Sequence, residues 1–288
     1  MTGPAEDPSF LSLLTGCLAT PISENPTVVM VEAAYRHHGI DARYINCDVR
    51  PADLGAAVRG AWAMGWLGFN CSLPHKVAVI EHLSALGESA RVIGAVNTVV
   101  RGDDGWVGEN TDGRGFVEAL REKGILLDGQ RIALLGAGGA ARAIAVESAL
   151  AGAASIEVVN RDRGRGEALA ALVNEQTPAD AAYRPWDEPY PVPTDVDLLV
   201  NATSVGLHPD PNSPAVEAGT LREGMVVADV IPNPPRTAFL RQAEEAGCVT
   251  IDGLGMLVGQ GVLAVGLWTG IRPDPAVMRR ALANVFGG

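Results

Sequence analysis

Basic residues are scarce and scattered: 22 Lys and Arg stand against 34 Asp and Glu in 288 residues, for a formal net charge of -12. Without a basic cluster the chain lacks the electrostatic footprint of a phosphate-backbone partner, and nucleic acid is not expected. The acidic balance reads as solubility. Cysteines are also few. Cys17, Cys47, Cys71 and Cys248 lie far apart, with no CxxC pair and no HxxxH spacing, so no metal site is predicted and the thiols read as reduced, in a cytoplasm. No apolar run reaches the roughly 18 residues of a membrane helix. Met1 to Pro8 holds acids and prolines where a signal peptide would have basic and then apolar residues. GxSxG, HExxH and Walker A patterns are missing, which leaves hydrolase, zincin and P-loop readings without a starting point.

What is present is a large apolar fraction, 47%, enough for a buried core and for two domains. Strand-like apolar runs alternate with helix-length amphipathic segments, which predicts an α/β fold with parallel strands and crossover helices. Leu11 to Leu18 reads as the first strand. Asn25-Pro26 then supplies an N-cap and a first-turn proline for a helix that Gly39 stops. Strands are expected at Tyr44 to Val49, Trp66 to Phe69 and Ala95 to Val100, with helices at Pro51 to Met64 and Pro74 to Leu86. The polar, glycine-rich passage from Gly102 to Gly115 reads as a domain boundary. Beyond it the pattern predicts strands at Arg131 to Leu135, Ile156 to Asn160, Asp197 to Asn201, Met225 to Val230 and Cys248 to Ile251. Thr177 to Pro193 reads as a surface connection, and two last helices near Met256 to Trp268 and Asp274 to Val285 are free to pack back on the first domain.

A dinucleotide site needs a strand that stops abruptly, glycines that let amides approach a pyrophosphate, and a helix N-terminus facing it. Arg131 to Leu135 followed by Gly136, Ala137, Gly138, Gly139, Ala140 and a helix meets all three conditions, with Ala141 at the third glycine position. The next strand ends Asn160-Arg161-Asp162-Arg163-Gly164-Arg165. Arg161 and Arg165 favour the 2′-phosphate of NADP. Asp162, if turned to the ribose, would favour NAD instead, so NAD stays possible.

Hydride transfer at an alcohol carbon also needs a group that moves the hydroxyl proton. Two polar clusters stand at strand ends, Asn70-Cys-Ser-Leu-Pro-His-Lys76 and Glu109-Asn-Thr-Asp-Gly113. Lys76 alone is a surface lysine in most proteins, and Asp112 alone a turn residue. His75 is set aside as a shuttle because neighbours on a helix point in different directions. Trp62, Trp66, Trp106, Trp186 and Trp268 read as packing residues.

Together these segments resemble the shikimate dehydrogenase family, in order and from about Gly16 to the C-terminus: Gly68 to Lys76, Gly94-Ala-Val-Asn-Thr98, Asn110-Thr-Asp-Gly113, Gly136 to Arg142, Asn160-Arg161, Asn201-Ala-Thr-Ser204, and Asp252 to Leu257 with Gln260. The resemblance implies an N-terminal substrate-binding domain completed by the C-terminal helices, residues 1–113 with 253–288, and a Rossmann domain, residues 114–252. It implies Lys76 and Asp112 as the catalytic pair, with the aspartate orienting the ammonium. Asn97, Gln260 and Ser72 would then bind ring hydroxyls, and Thr203, Val230 and Gly253 would touch the cofactor. The implied activity is reversible NADP-dependent reduction of 3-dehydroshikimate to shikimate in aromatic amino acid biosynthesis. Quinate, an aminoshikimate or another alicyclic hydroxy acid is the alternative substrate, and a non-catalytic dinucleotide sensor the rival from another class. The partners implied are a small molecule, no nucleic acid and no membrane, for a monomer or homodimer.

Two departures lie on the substrate side. The family's carboxylate-gripping Ser-x-Ser-Pro reads Ser23-Glu24-Asn25-Pro26 here, which leaves Ser23 and Asn25 as the residues to carry that contact. Pro232 stands where the family commonly has a tyrosine.

Overall fold

The computed structural model describes residues 11–286, so the expectation for Met1 to Pro8 lies outside the described residues. The chain runs β1 (Leu13–Ala19), α1 (Thr27–His38), β2 (Ala42–Asp48), a 3-10 turn at Pro51–Asp53, α2 (Leu54–Ala63), β3 (Gly68–Cys71), α3 (His75–Ala78), β4 (Ala85–Leu86), α4 (Glu88–Ile93), β5 (Thr98–Arg101) and β6 (Trp106–Glu109). It continues α5 (Asp112–Glu122), β7 (Arg131–Leu135), α6 (Gly139–Leu150), β8 (Ser155–Asn160), α7 (Arg163–Gln176), β9 (Asp180–Pro185), β10 (Leu198–Asn201), β11 (Val226–Asp229), α8 (Ala238–Glu245), β12 (Val249–Ile251), α9 (Gly253–Thr269) and α10 (Pro275–Phe286).

Among the described residues the strands form two six-stranded sheets. The first has the order β2-β1-β3-β5-β6-β4 and mixes parallel pairs with the antiparallel pairs β3·β5 and β5·β6. The second, β9-β8-β7-β10-β11-β12, is parallel throughout. Its strands are apolar runs such as Ile132 to Leu135 and Leu198 to Val200, buried from both faces as a parallel sheet requires. The order reverses between β7 and β10, and the crevice at that switch point is where an open α/β sheet takes its ligand.

After β12 the chain returns to the first sheet. Val258, Val262, Val265, Met278 and Leu282 on α9 and α10 share a core with Met30, Val31 and Tyr35 of α1. Trp268 donates its indole N–H to the Val99 carbonyl of β5. Full burial of a side chain such as Met278 or Leu282 contributes roughly 1.5 to 3 kcal/mol of transfer free energy, which is what brings the last two helices back.

Four sequence expectations change. The helix of Pro74 to Leu86 is only α3 and a 3-10 turn at Val79–His82; the chain then straightens because Ser84 and Gly87 donate to Trp106 and Gly108 and add β4 to the sheet edge. The polar passage before Gly115 contains β6, and Thr177 to Pro193 contains β9; both are short or half-exposed strands without a clean apolar alternation. At α1 the N-cap position is Pro26, and the Asn25 side chain accepts from the Thr27 amide.

Candidate active site

Pro74 turns the chain out of β3 into α3, and Lys76 follows at the second helical position. Asp112 opens α5, where a carboxylate complements the helix dipole. The two side chains meet at 2.6 Å, Lys76 Nζ donating to Asp112 Oδ2, and both are partly accessible, 29% and 17% exposed. Asp112 Oδ1 accepts from Asn97 Nδ2 at 2.8 Å, so both carboxylate oxygens are held. Asn97 is itself fixed: its Nδ2 also donates to Thr111 Oγ1, and its Oδ1 accepts from the Thr111 amide at 2.7 Å. Asn97 thus acts first on the carboxylate, and only then as a wall of the cavity.

Behind this pair lies a buried polar chain. Asn70 Nδ2 donates to the Asn97 carbonyl and to Thr98 Oγ1, and Asn70 Oδ1 accepts from the Tyr44 hydroxyl at 2.7 Å. Every member is satisfied, which makes such a network a rigid support. Burial pushes Tyr44 well above its ordinary value and the Cys17 thiol up to about 12, so both stay neutral beside the site. Residue types alone did not single out Tyr44, Thr98 or Thr111, and Asn70 was noticed only as part of a polar cluster.

A cavity of about 220 Å³ opens on the pair. Amides line it at Asn25, Asn70, Asn97 and Gln260, hydroxyls at Thr27 and Ser72, and Val230, Pro232 and Gly253 close the side toward the second sheet. Among the described residues, Lys76 and Asp112 are its only charged lining residues, and they neutralise one another. Gln260 donates Nε2 to the Leu257 carbonyl of its own helix. Ser23 and Glu24 do not reach this cavity; they are exposed and line a neighbouring one with Asn25 and Ser72. His75 is buried with Nε2 against the Val49 carbonyl, away from the site.

The glycine loop runs from the end of β7 into α6. Gly136 takes φ +108, reached freely only by glycine, and a Cβ there would meet the Ala202 carbonyl and Thr203. Gly138 and Gly139 face open space, so the first-turn amides of α6 are approachable, with Ala137 and Ala140 half-buried beside them. That is the cradle a pyrophosphate requires. Along the C-terminal ends of the strands a second cavity, about 340 Å³, is lined by Asn160, Arg161, Thr203 and the Trp186 to Pro189 segment. Trp186, read from sequence as packing, is therefore also a wall of this cavity.

Asp162 does not point there. Its side chain caps α7, accepting from the Arg165 amide at 3.0 Å, and it lies 3.7 Å from the Arg165 guanidinium. The acid that argued for NAD is occupied in the helix cap, while Arg161 faces the cavity. The residues present therefore fit a dinucleotide carrying a 2′-phosphate.

The family model described as the shikimate dehydrogenase substrate binding domain matches residues 17–99, and that of the shikimate 5'-dehydrogenase C-terminal domain matches residues 253–283. The chain is 39% identical over 269 residues to the shikimate dehydrogenase (NADP(+)) of Shouchella clausii, covering 93% of this chain and 96% of that one. Among solved structures, the 5-ketofructose reductase of Gluconobacter sp. strain CHM43 is 56% identical, with a TM-score of 0.94, over 96% of this chain and all of that one. A shikimate dehydrogenase in complex with NADP+ is 36% identical, with a TM-score of 0.87, covering 96% of each chain.

Proposed function

The chain belongs to the shikimate dehydrogenase family, and from that premise we propose that it is an NADP-dependent dehydrogenase whose Lys76 and Asp112 interconvert a ketone and a secondary ring alcohol. The observation that carries this reading is the 2.6 Å lysine–carboxylate pair at the wall of a cavity that Val230 and Gly253 close on the dinucleotide side. NADP, when bound, supplies or accepts the hydride. The amides at the start of α6 hold its pyrophosphate, and Arg161 pairs with its 2′-phosphate. The Lys76 ammonium passes a proton to the carbonyl oxygen as the alcohol forms, and the amine takes it back in the reverse direction. Asp112, tied by Asn97, keeps Nζ aimed at that oxygen. Ser72, Asn97 and Gln260 bind substrate hydroxyls in this reading. The division into residues 1–113 with 253–288 and residues 114–252 belongs to the same proposal, as do a cytoplasmic setting, which the four free thiols support, and action as a monomer or homodimer.

Reduction of 3-dehydroshikimate to shikimate is the reaction that the curated relatives support, because their names carry shikimate and NADP(+). A second substrate, 5-ketofructose, is favoured by two observations. Identity to the 5-ketofructose reductase is 56%, against 36% to the shikimate dehydrogenase structure. The cavity also has Asn25 and Pro232 where the family resemblance implies a serine and a tyrosine. The test is NADPH consumption by the purified protein with each of the two ketones, repeated with NADH. Turnover of at least one, faster with NADPH, is expected; no turnover with either overturns the reading.

A further inference from the structure

The buried polar chain behind the reacting pair runs across the first sheet, from Tyr44 on β2 to Asn70 on β3 and to Thr98 on β5, which stands directly opposite Asn70 in the register. Counting hydrogens decides which way each bond points. The Tyr44 hydroxyl donates to Asn70 Oδ1 at 2.7 Å, and Asn70 Nδ2 spends its two hydrogens on the Asn97 carbonyl and on Thr98 Oγ1, each at 3.0 Å. Thr98 Oγ1 then has its own hydrogen to place, and among the described residues its one acceptor is Thr111 Oγ1 at 3.0 Å. Thr111 Oγ1 in turn lies 3.3 Å from Asn97 Oδ1, which also accepts from the Thr111 amide. With Oδ1 so engaged, Asn97 turns Nδ2 to Thr111 Oγ1 and to Asp112 Oδ1. Run the opposite way, the Thr98–Thr111 bond would leave the Thr98 hydrogen without an acceptor at a fully buried position, which is costly. The donors therefore all point one way, from Tyr44 toward the Asp112 carboxylate, and hydrogen bonds in such a row polarise one another. Tyr44, Thr98 and Thr111 do not line the cavity, so any part they take in the reaction passes through the side chains they hold.

We propose that Tyr44 and Thr98 are positioning residues of the reaction, the outer links of a one-way hydrogen-bond relay through Asn70, Thr111 and Asn97 that sets the Asp112 carboxylate and, through it, the aim of Lys76 Nζ. A relay of this kind acts on the proton-transfer geometry and leaves the binding of ketone and dinucleotide alone. The inference rests on Lys76 and Asp112 as the reacting pair.

The experiment measures kcat, KM and NADPH affinity for wild type, Tyr44→Phe, Thr98→Val, Thr98→Ser and the Tyr44→Phe/Thr98→Val double variant, with whichever of 3-dehydroshikimate and 5-ketofructose wild type turns over. Thr98→Val, which keeps the shape and removes the hydroxyl, lowers kcat about tenfold with KM and NADPH affinity within about twofold of wild type. Thr98→Ser restores the link and most of kcat. Tyr44→Phe lowers kcat about 3- to 10-fold. Because both substitutions cut one chain, the double variant is no slower than Thr98→Val alone. Wild-type kcat in Thr98→Val and Tyr44→Phe, an equal loss in Thr98→Ser, or losses that multiply in the double variant each overturn the proposal while leaving the reaction intact. Should Thr98→Val fail to fold, Tyr44→Phe decides alone, since it loses one hydroxyl and no carbon: a lowered kcat at unchanged KM supports the relay and an unchanged kcat overturns it. Absence of turnover of both ketones by wild type overturns the reaction reading, and the proposal with it.

Discussion

Asp229 holds an acid almost out of reach of water, at 2% exposure on the last position of β11. Burial pushes its carboxyl from the ordinary 3.8 to about 6, although Thr237, Ile231 and Asn201 all donate to it. Between those values the folded protein keeps a proton that the unfolded chain has released. The stability this group contributes is full below about pH 4 and is lost as pH rises through 6. At roughly 1.36 kcal/mol per unit, wild type should lose on the order of 2 to 3 kcal/mol relative to Asp229→Asn across that window. Denaturant unfolding at pH 4 to 7 measures it, and parallel pH curves for the two proteins would count against it. Arg161 and Asp162 make a second pair of residue-scale expectations. Asp162→Ala should cost about 1 kcal/mol of stability through the lost cap and leave the NADPH preference in place. Arg161→Ala should weaken NADPH about tenfold or more and NADH little, since a charge-assisted hydrogen bond contributes roughly 1.5 to 3 kcal/mol. Equal losses for both cofactors would refute the assignment. Lys76 and Asp112 each stand in a polar cluster at a strand end, but it is the resemblance of those clusters to shikimate dehydrogenase motifs that pairs them, and the structure sets them 2.6 Å apart. Asp162 was legible as a candidate but not in its direction, since a helix cap and a ribose contact need the same residue at the same strand end. Tyr44, Thr98 and Thr111 were not legible: Tyr44 and Thr98 are single polar residues in strands, Thr111 sits unremarked inside a polar cluster, and the hydrogen-bond partners of all three come from other elements.

At the scale of elements, α5 is the part that assembles the site. Its first residue is Asp112, and it crosses α9, which carries Gln260, so closely that a Cβ on Gly115 would lie 2.5 Å from the Gln260 amide nitrogen and 2.9 Å from the Met256 carbonyl oxygen. Gly259 mirrors it, 2.6 Å from the Gly115 carbonyl oxygen. Its other side meets α6, where a Cβ on Gly113 would strike the Ala143 carbonyl. Helix α5 is thus wedged between the helix that starts at the glycine loop and the helix that returns to the first sheet. Gly115→Ala must move backbone, so a loss of about 1 to 3 kcal/mol is expected. It should also bring a fall in kcat/KM larger than that of a control with room for a Cβ, such as Gly60→Ala on α2, where only the Met64 side-chain end lies near. Wild-type activity and stability in Gly115→Ala would contradict the crossing. Periodicity predicted the long elements, including β7, α6, α9 and α10, because buried runs and one-sided helices carry a strong signal. It missed β6 and β9 and overextended α3, where a few residues pair at a sheet edge and the deciding partners are backbone groups elsewhere.

The described residues form two sheets, with the chain passing from the first to the second and back. That return, by α9 and α10, sets Gln260 and Gly253 across the cavity from Lys76 and Ser72, so residues from both ends of the sequence line one cavity. The α/β layout with a second, parallel sheet was legible from the glycine loop and the alternation of elements. The shape of the substrate end was not, because it depends on which way the Asn25 amide is turned, and the Thr27 amide and the Asn46 side chain of β2 set that together. The central claim is that a dinucleotide site and the Lys76–Asp112 pair act on one ketone. Its most direct measurement is the initial rate of NADPH consumption with 5-ketofructose and 3-dehydroshikimate, for wild type and for Lys76→Ala, with folding and NADPH binding checked in the variant. Turnover of at least one ketone by wild type is predicted, with kcat/KM lower by about 10²- to 10⁴-fold in a folded, NADPH-binding Lys76→Ala protein. Equal rates in the two proteins, or none in wild type, would contradict it.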